Sequence, residues 1–275
     1  MVTRTAGAVL FAIVLPTSGA PRQDPNLAAE RQAYTQWLIT APTSPLAAVA
    51  MRRLDGPVTL GPDSADIPLP GFALATVSES RGVLTLAATS RPARTLPRNR
   101  PVSLPPWTLE VTGPAGASTL AVYGAARGTP PGYFPQNSSL AYTLALLPPA
   151  STERRRVLTL DGVEVEGEVA GYLLVPLGSP STRLQVLRLP VPGTEETELQ
   201  VYFRDATSGS GTYPAGRFVE VIPSDAGRYR IDFNRARNPF CAYSSVYPCP
   251  VPWPGNSIKA AVTAGEKYLP THPHD

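Results

Sequence analysis

The stretch Val157-Leu158-Thr159-Leu160-Asp161-Gly162-Val163-Glu164-Val165 decides the fold class. Two β-favouring runs flank Asp161-Gly162, and that dipeptide readily supplies the positive φ of a two-residue hairpin turn. The stretch therefore reads as two antiparallel strands, Val157–Leu160 and Val163–Val165. The same period of two continues on both sides. Upstream it gives Phe72–Thr76, Val83–Ala87, Trp107–Val111, Thr119–Tyr123 and Ala141–Leu146. Downstream it gives Tyr172–Val175, Leu184–Leu189, Glu198–Phe203, Phe218–Ile222 and Tyr229–Phe233. Gly, Pro, Asp or Ser bound most of these runs, as expected of strands. Arg91 to Pro106 reads as a Pro- and Arg-rich loop or linker, and Gly124 to Asn137 as a second long loop. The charge run Glu153-Arg154-Arg155-Arg156 reads as a solvated strand entrance.

Composition agrees. The 275 residues include 33 Pro and 22 Gly but only 16% charged side chains, which suits many short strands joined by tight turns. A net charge of +3 is too small to argue for nucleic acid or a membrane surface.

Ahead of the strands, Asp24-Pro25 resembles a helix start, with Pro where a missing N–H costs nothing. Leu27, Tyr34, Trp37 and Leu38 fall on one helical face, expected to pack on a sheet. The N-terminus reads as a secretory signal. Arg4 precedes the apolar run Ala6 to Leu15, which is shorter than the about 20 residues of a membrane span, and Ser18-Gly19-Ala20 supplies small residues for cleavage. The expected location is exported: periplasm, cell envelope or secreted. No other stretch is apolar enough to span a membrane.

The expected architecture is mainly β. A short N-terminal helix precedes packed antiparallel sheets, sandwich- or barrel-like, in two β units. Residues 1–20 form the signal peptide, 21–42 the helix, 43–112 a small β unit and 113–275 a C-terminal β domain. One continuous structure is the alternative.

Polar and turn-forming residues concentrate in the last quarter. Asp205 follows an apolar strand and precedes Thr207-Ser208-Gly209, so its carboxylate is placed to cap its own turn. Asp232 ends the next strand but one in the same way. Arg217 and Arg235 are natural bidentate partners for Asp205, Asp232 or Glu266. Two readings stay open: a buried ion-pair network holding loops, or a ligand pocket with Arg217 and Arg235 as binding groups. The chain has two histidines, His272 and His274, both in the tail, and two cysteines. These counts argue against a Ser-His-Asp device and against a multi-ligand zinc site. There is no Gly-rich phosphate cradle, so no cofactor is expected. Cys241 and Cys249 read as a disulfide in an exported protein.

Several segments of this quarter carry a family resemblance. They are Phe203-Arg204-Asp205-Ala206-Thr207-Ser208-Gly209, Thr212-Tyr213, Gly216-Arg217, Asp232-Phe233-Asn234, Asn238-Pro239-Phe240-Cys241-Ala242, Cys249-Pro250 and Ala264-Gly265-Glu266-Lys267. Together they resemble the domain of unknown function 1684 family. Phe240, Val251 and Trp253 depart from its pattern, exchanging one apolar group for another. Gly61-Pro62-Asp63-Ser64-Ala65-Asp66-Ile67-Pro68-Leu69-Pro70 resembles a forkhead-associated strand pair, without the arginine that phosphothreonine recognition needs. The resemblance implies fold and family and carries no activity.

Two functions are compatible with these residues. The first is a non-catalytic binding or structural module of the cell envelope, with Tyr247 and Trp253 offering a flat contact to a glycan or peptide. The second is a hydrolase using Asp205, Asp232 and Glu266 as acid and base; the same trio could instead hold calcium through oxygen ligands. Oligomeric state is not encoded in any of these features.

Overall fold

The computed structural model describes residues 25–88, 91–191, 194–253 and 255–268. The expected signal peptide and both tail histidines lie outside them. The described residues form one α-helix, sixteen strands and three sheets. The chain is thus mainly β and sandwich-like, as its period of two implies. No helix among them is long and apolar enough to cross a membrane.

Helix α1 spans Pro25–Thr40, with Leu27 and Leu38 buried. It packs on loops rather than on the expected sheet. Arg31 donates to the Phe134 carbonyl (3.1 Å) and the Asn234 carbonyl (2.9 Å), Glu30 accepts twice from Arg235, and the Trp37 ring lies 6.1 Å from Phe240. The reason is chemical. A face carrying Glu30, Arg31, Tyr34 and Trp37 needs polar partners, and loops still have free carbonyls where a sheet's are consumed by its ladder.

The small unit is a sandwich. Its strands are β1 (Ala48–Arg53), β2 (Val58–Gly61), β3 (Ile67–Pro68), β4 (Ala75–Ser80), β5 (Val83–Ala88), β6 (Arg91–Thr95), β7 (Val102–Leu104), β8 (Trp107–Thr112) and β9 (Thr119–Tyr123). One sheet runs β1-β9-β8-β7 and the other β3-β2-β4-β5-β6. Leu60, Val77, Leu109, Leu120 and Val122 are buried in the core they share. Strand β9 pairs with both β1 and β8, so this sheet continues past the expected boundary at 112. Two expectations are corrected here. The loop expected over Arg91–Pro106 contains β6 and β7, both edge strands, where proline is tolerated because one side needs no ladder. The strand expected at Phe72–Thr76 starts at Ala75 instead, since Phe72 N–H closes a turn onto the Leu69 carbonyl at 3.0 Å.

The large unit contains β10 (Ala141–Ala145), β11 (Arg154–Leu158), β12 (Glu164–Val175), β13 (Thr182–Pro190), β14 (Thr197–Phe203), β15 (Arg217–Pro223) and β16 (Arg228–Asp232). They form one antiparallel sheet in the order β10-β16-β15-β14-β13-β12-β11. The sheet curls until Leu147, just past β10, exchanges backbone hydrogen bonds with Tyr172 of β12 at 2.9 and 2.8 Å. Gly171 permits this closure, because a Cβ there would overlap the Leu147 carbonyl. The strand β11 remains the open edge, and it begins with the arginine run.

The hairpin at Asp161-Gly162 exists but its turn is one residue longer than expected. Thr159 N–H reaches the Val163 carbonyl (2.9 Å), leaving Leu160, Asp161 and Gly162 in the loop, and only Gly162 takes positive φ (74°). The Thr159 hydroxyl bonds to the Asp161 carboxylate, which favours this longer turn.

The concave face of the large sheet buries Leu173, Val186, Val201, Phe203, Val219 and Ile231. The opposite face is half covered: Tyr202 and Phe218 pack under Trp253 with Leu187 and Leu189. Beyond that cover, the same face continues with Glu198 and Gln200 of β14, Glu220 and Ile222 of β15, and Arg230 and Asp232 of β16. Cross-strand register puts these six on one side, with Gln200 opposite Glu220 and Ile222 opposite Arg230.

Candidate functional site

The residues singled out by the sequence divide into two sets. Arg217, only 1% exposed, sits at the start of β15. It donates to the Asp205 carboxylate (2.9 Å) and to the carbonyls of Val262 (2.9 Å), Ala264 and Glu266 (3.2 Å). Asp205 also accepts from Thr207 N–H (2.8 Å), the Thr207 hydroxyl (2.6 Å) and Val262 N–H (3.2 Å). This closes the turn after β14 as its Asp-x-Thr order implies. The pair therefore stitches residues 262–266 to β14 and β15.

Glu266 is fully buried. One oxygen accepts from Asn238 N–H and from the Tyr243 hydroxyl, both at 2.7 Å, and the other has no partner among the described residues. Burial pushes its pKa up to about 7, against those two hydrogen bonds and the charges of Arg237 and Arg217.

Asp232 and Arg235 lie elsewhere. Asp232 accepts from Arg230 (2.9 Å), Arg235 (2.6 Å), Asn234 N–H (3.0 Å) and the Asn234 amide (2.8 Å). Burial raises its pKa, but the hydrogen bonds from Arg230 and Asn234 and the charge of Arg235 outweigh it. The carboxyl is held below its ordinary value. Arg235 also grips Glu30, pinning α1.

Each carboxylate of the expected acid–base trio is engaged within the protein. A carboxylate pair for hydrolysis must face one opening. Asp205 and Asp232 are instead each engaged by arginine and backbone N–H, and Glu266 is enclosed. The same engagement disfavours calcium at these oxygens. No three His, Cys, Asp or Glu side chains of the described residues gather as a metal-ligating group.

The two aromatic side chains expected to form a platform are buried. Tyr247 and Trp253 are 5% and 4% exposed, and Trp253 caps Tyr202 and Phe218. An indole beside an uncovered apolar sheet face gains more by burial than by offering a flat surface to solvent. Cys241 is buried and Cys249 exposed, with no bond drawn between them.

The site that the geometry does present is a cleft of about 760 Å³ over the uncovered sheet face. Asn26 and Glu30 of α1 form one wall, and the hairpin tip at Thr159, Leu160 and Asp161 forms another. Phe240 joins them, its N–H bonded to the Leu160 carbonyl at 2.8 Å. Charge is divided along it. Arg230 and Arg235 pair with Asp232 and Arg237 also lines the cleft, whereas Asp161, Glu198 and Glu220 have no arginine or lysine partner among the described residues. Burial raises the pKa of Glu198, and its neighbours Glu220 and Asp161 raise it further. Of the sequence candidates, Asp232 and Arg235 line this cleft, while Arg217, Asp205 and Glu266 do not.

Glu198, Glu220, Arg230 and Arg237 were missed by motif reasoning. The first three are signalled by alternation: Glu198-x-Gln200, Glu220-x-Ile222 and Arg230-x-Asp232 are the outward positions alternating with the buried Leu199, Val201, Val219, Val221 and Ile231.

No curated protein matches the chain. Among solved structures, it is similar to an uncharacterized protein of Haloarcula marismortui determined by solution NMR. The identity is 32%, the match covers 52% of this chain and 78% of that one, and the TM-score is 0.44. Residues 131–267 match the family model described as Protein of unknown function (DUF1684). That span holds all of the large sheet and every segment from Phe203 to Lys267 that carried the resemblance, and through it the chain belongs to the DUF1684 family.

Proposed function

We propose that this protein is an exported, non-catalytic binding module of the cell envelope whose ligand seat is the cleft over β14, β15 and β16. The observation that carries the reading is the cleft's unbalanced charge. Asp161, Glu198 and Glu220 share one end without a cation, at a cost in mutual repulsion that a cationic group would relieve. Arginines line it as well, and Leu160, Ile222 and Phe240 supply apolar surface. A short peptide with a basic and an acidic side chain separated by apolar ones suits this set of groups.

Titration calorimetry with short peptides carrying one lysine and one aspartate tests the seat. Binding is expected, and the same peptides with glutamine and asparagine in place of the charges should bind far less. Replacing Glu198→Gln and Glu220→Gln together should weaken binding by about tenfold or more, equivalent to about 1.4 kcal/mol. Binding that ignores these two carboxylates, or none at all, would sink the reading.

Export rests on the sequence of residues 1–20. Intact mass of the protein recovered from its own cells should correspond to a chain starting near Pro21; a chain retaining Met1 to Ala20 would refute export by that signal.

A further inference from the structure

The loop between Cys241 and Cys249 ties the two β units to each other. Within it, the Ser244 hydroxyl donates to the Ala48 carbonyl of β1 at 3.5 Å. Tyr247 packs with Cys241 and Tyr213 in a cluster that also takes in Ala48 and Met51. Pro248 lies against Gly162 of the hairpin, so closely that a Cβ on Gly162 would overlap its ring. The two ends of the loop meet at one phenol. Tyr213 hydroxyl lies 3.2 Å from Cys249 Sγ and donates to the Cys241 carbonyl at 3.3 Å. The Cys249 thiol is also near enough to Cys241 to help raise its pKa.

We propose that Cys241 and Cys249 are a redox-responsive thiol pair whose disulfide staples this loop and so fixes the contact between the two β units. The oxidant is a low-molecular-weight disulfide such as oxidised glutathione. Cys249, the exposed thiol, reacts first: its thiolate attacks one sulfur, forms a mixed disulfide and expels one glutathione thiolate. The Cys241 thiolate then attacks the Cys249 sulfur and expels the second. The protein loses two electrons and two protons, and the oxidant becomes two thiols. The order follows from access, since Cys241 is buried and its burial pushes the thiol pKa up.

The test uses the full chain equilibrated with oxidised glutathione. Intact mass should show loss of two protons with no glutathione attached. Cys241→Ser should stop at the glutathione adduct on Cys249, whereas Cys249→Ser should keep a free thiol. The bridged form should melt about 5 °C or more above the reduced form, because the bridge restricts the unfolded chain. Hydrogen exchange should slow both in 242–248 and in β1. A wild-type chain that keeps two thiols or retains glutathione overturns the pair. A bridged chain whose 242–248 and β1 amides exchange as in the reduced form overturns the staple. Cys241→Ala serves as the resolving-thiol variant if Cys241→Ser does not fold.

Discussion

Arg217→Met should destabilise the protein by about 3–5 kcal/mol, a loss large enough to unfold a marginally stable chain. The guanidinium is almost wholly buried and serves four acceptors: one carboxylate and three carbonyls of residues 262–266. Methionine fills similar volume but donates nothing. Asp205 is then left as a buried charge with hydrogen bonds but no countercharge, and the C-terminal segment loses its main anchor to β15. Urea unfolding followed by Trp253 fluorescence measures the loss. Adding Asp205→Asn to Arg217→Met should recover part of it, because the uncompensated charge disappears. A single variant within about 1 kcal/mol of wild type would show that water substitutes for the arginine, and that the pair does not hold the loops.

Glu266→Gln should remove most of a pH dependence spanning about 4.5 to 7. In the folded protein the carboxyl takes up its proton near pH 7, and in the unfolded chain at its ordinary value of 4.5. Between these values the folded state binds more protons than the unfolded one. Stability therefore rises as pH falls from about 7 to about 4.5, and is lost again as pH rises. The full excursion is about 3 kcal/mol, from about 1.4 kcal/mol per pH unit. Asp232 acts in the opposite sense and in a separate window. Its pKa is depressed, so its contribution is present above its ordinary value of 3.8 and is lost only as pH falls through the lower folded value. Stability measured across pH should accordingly peak in the mildly acidic range in the wild type. The Gln variant should lose most of the slope between 4.5 and 7, keeping the smaller part due to Glu198, and should retain the acid-side loss. An unchanged slope in the variant would locate the titrating group elsewhere.

Legibility in the sequence followed the physics that each feature depends on. Strands with one buried face, such as β9 and β14, were read correctly, or within a residue, from alternation alone. β6 and β7 were not, since prolines 92, 101, 105 and 106 in and around them imitate a loop, and only edge placement makes them tolerable. The ion-pair reading of Asp205 and Arg217 was available from residue types. Which carboxylate each arginine would choose was not, because the fold brings Arg217 the Asp205 carboxylate but only the backbone carbonyl of Glu266. The cleft was hidden for a different reason. Its walls come from α1, the Asp161 hairpin and Phe240, segments more than 200 residues apart at the extremes, so no local motif marks it.

The edge strand β11 carries a further meaning. A curled sheet closed at Leu147 and Tyr172 leaves one row of backbone groups free to recruit another chain, and that row opens with Arg154, Arg155 and Arg156. Antiparallel docking of a second copy along this row would set like charges face to face and strip water from them. Charged side chains on an open edge disfavour such pairing, and here Arg154 and Arg155 stand with their partners Glu166, Glu168 and Glu153 along it.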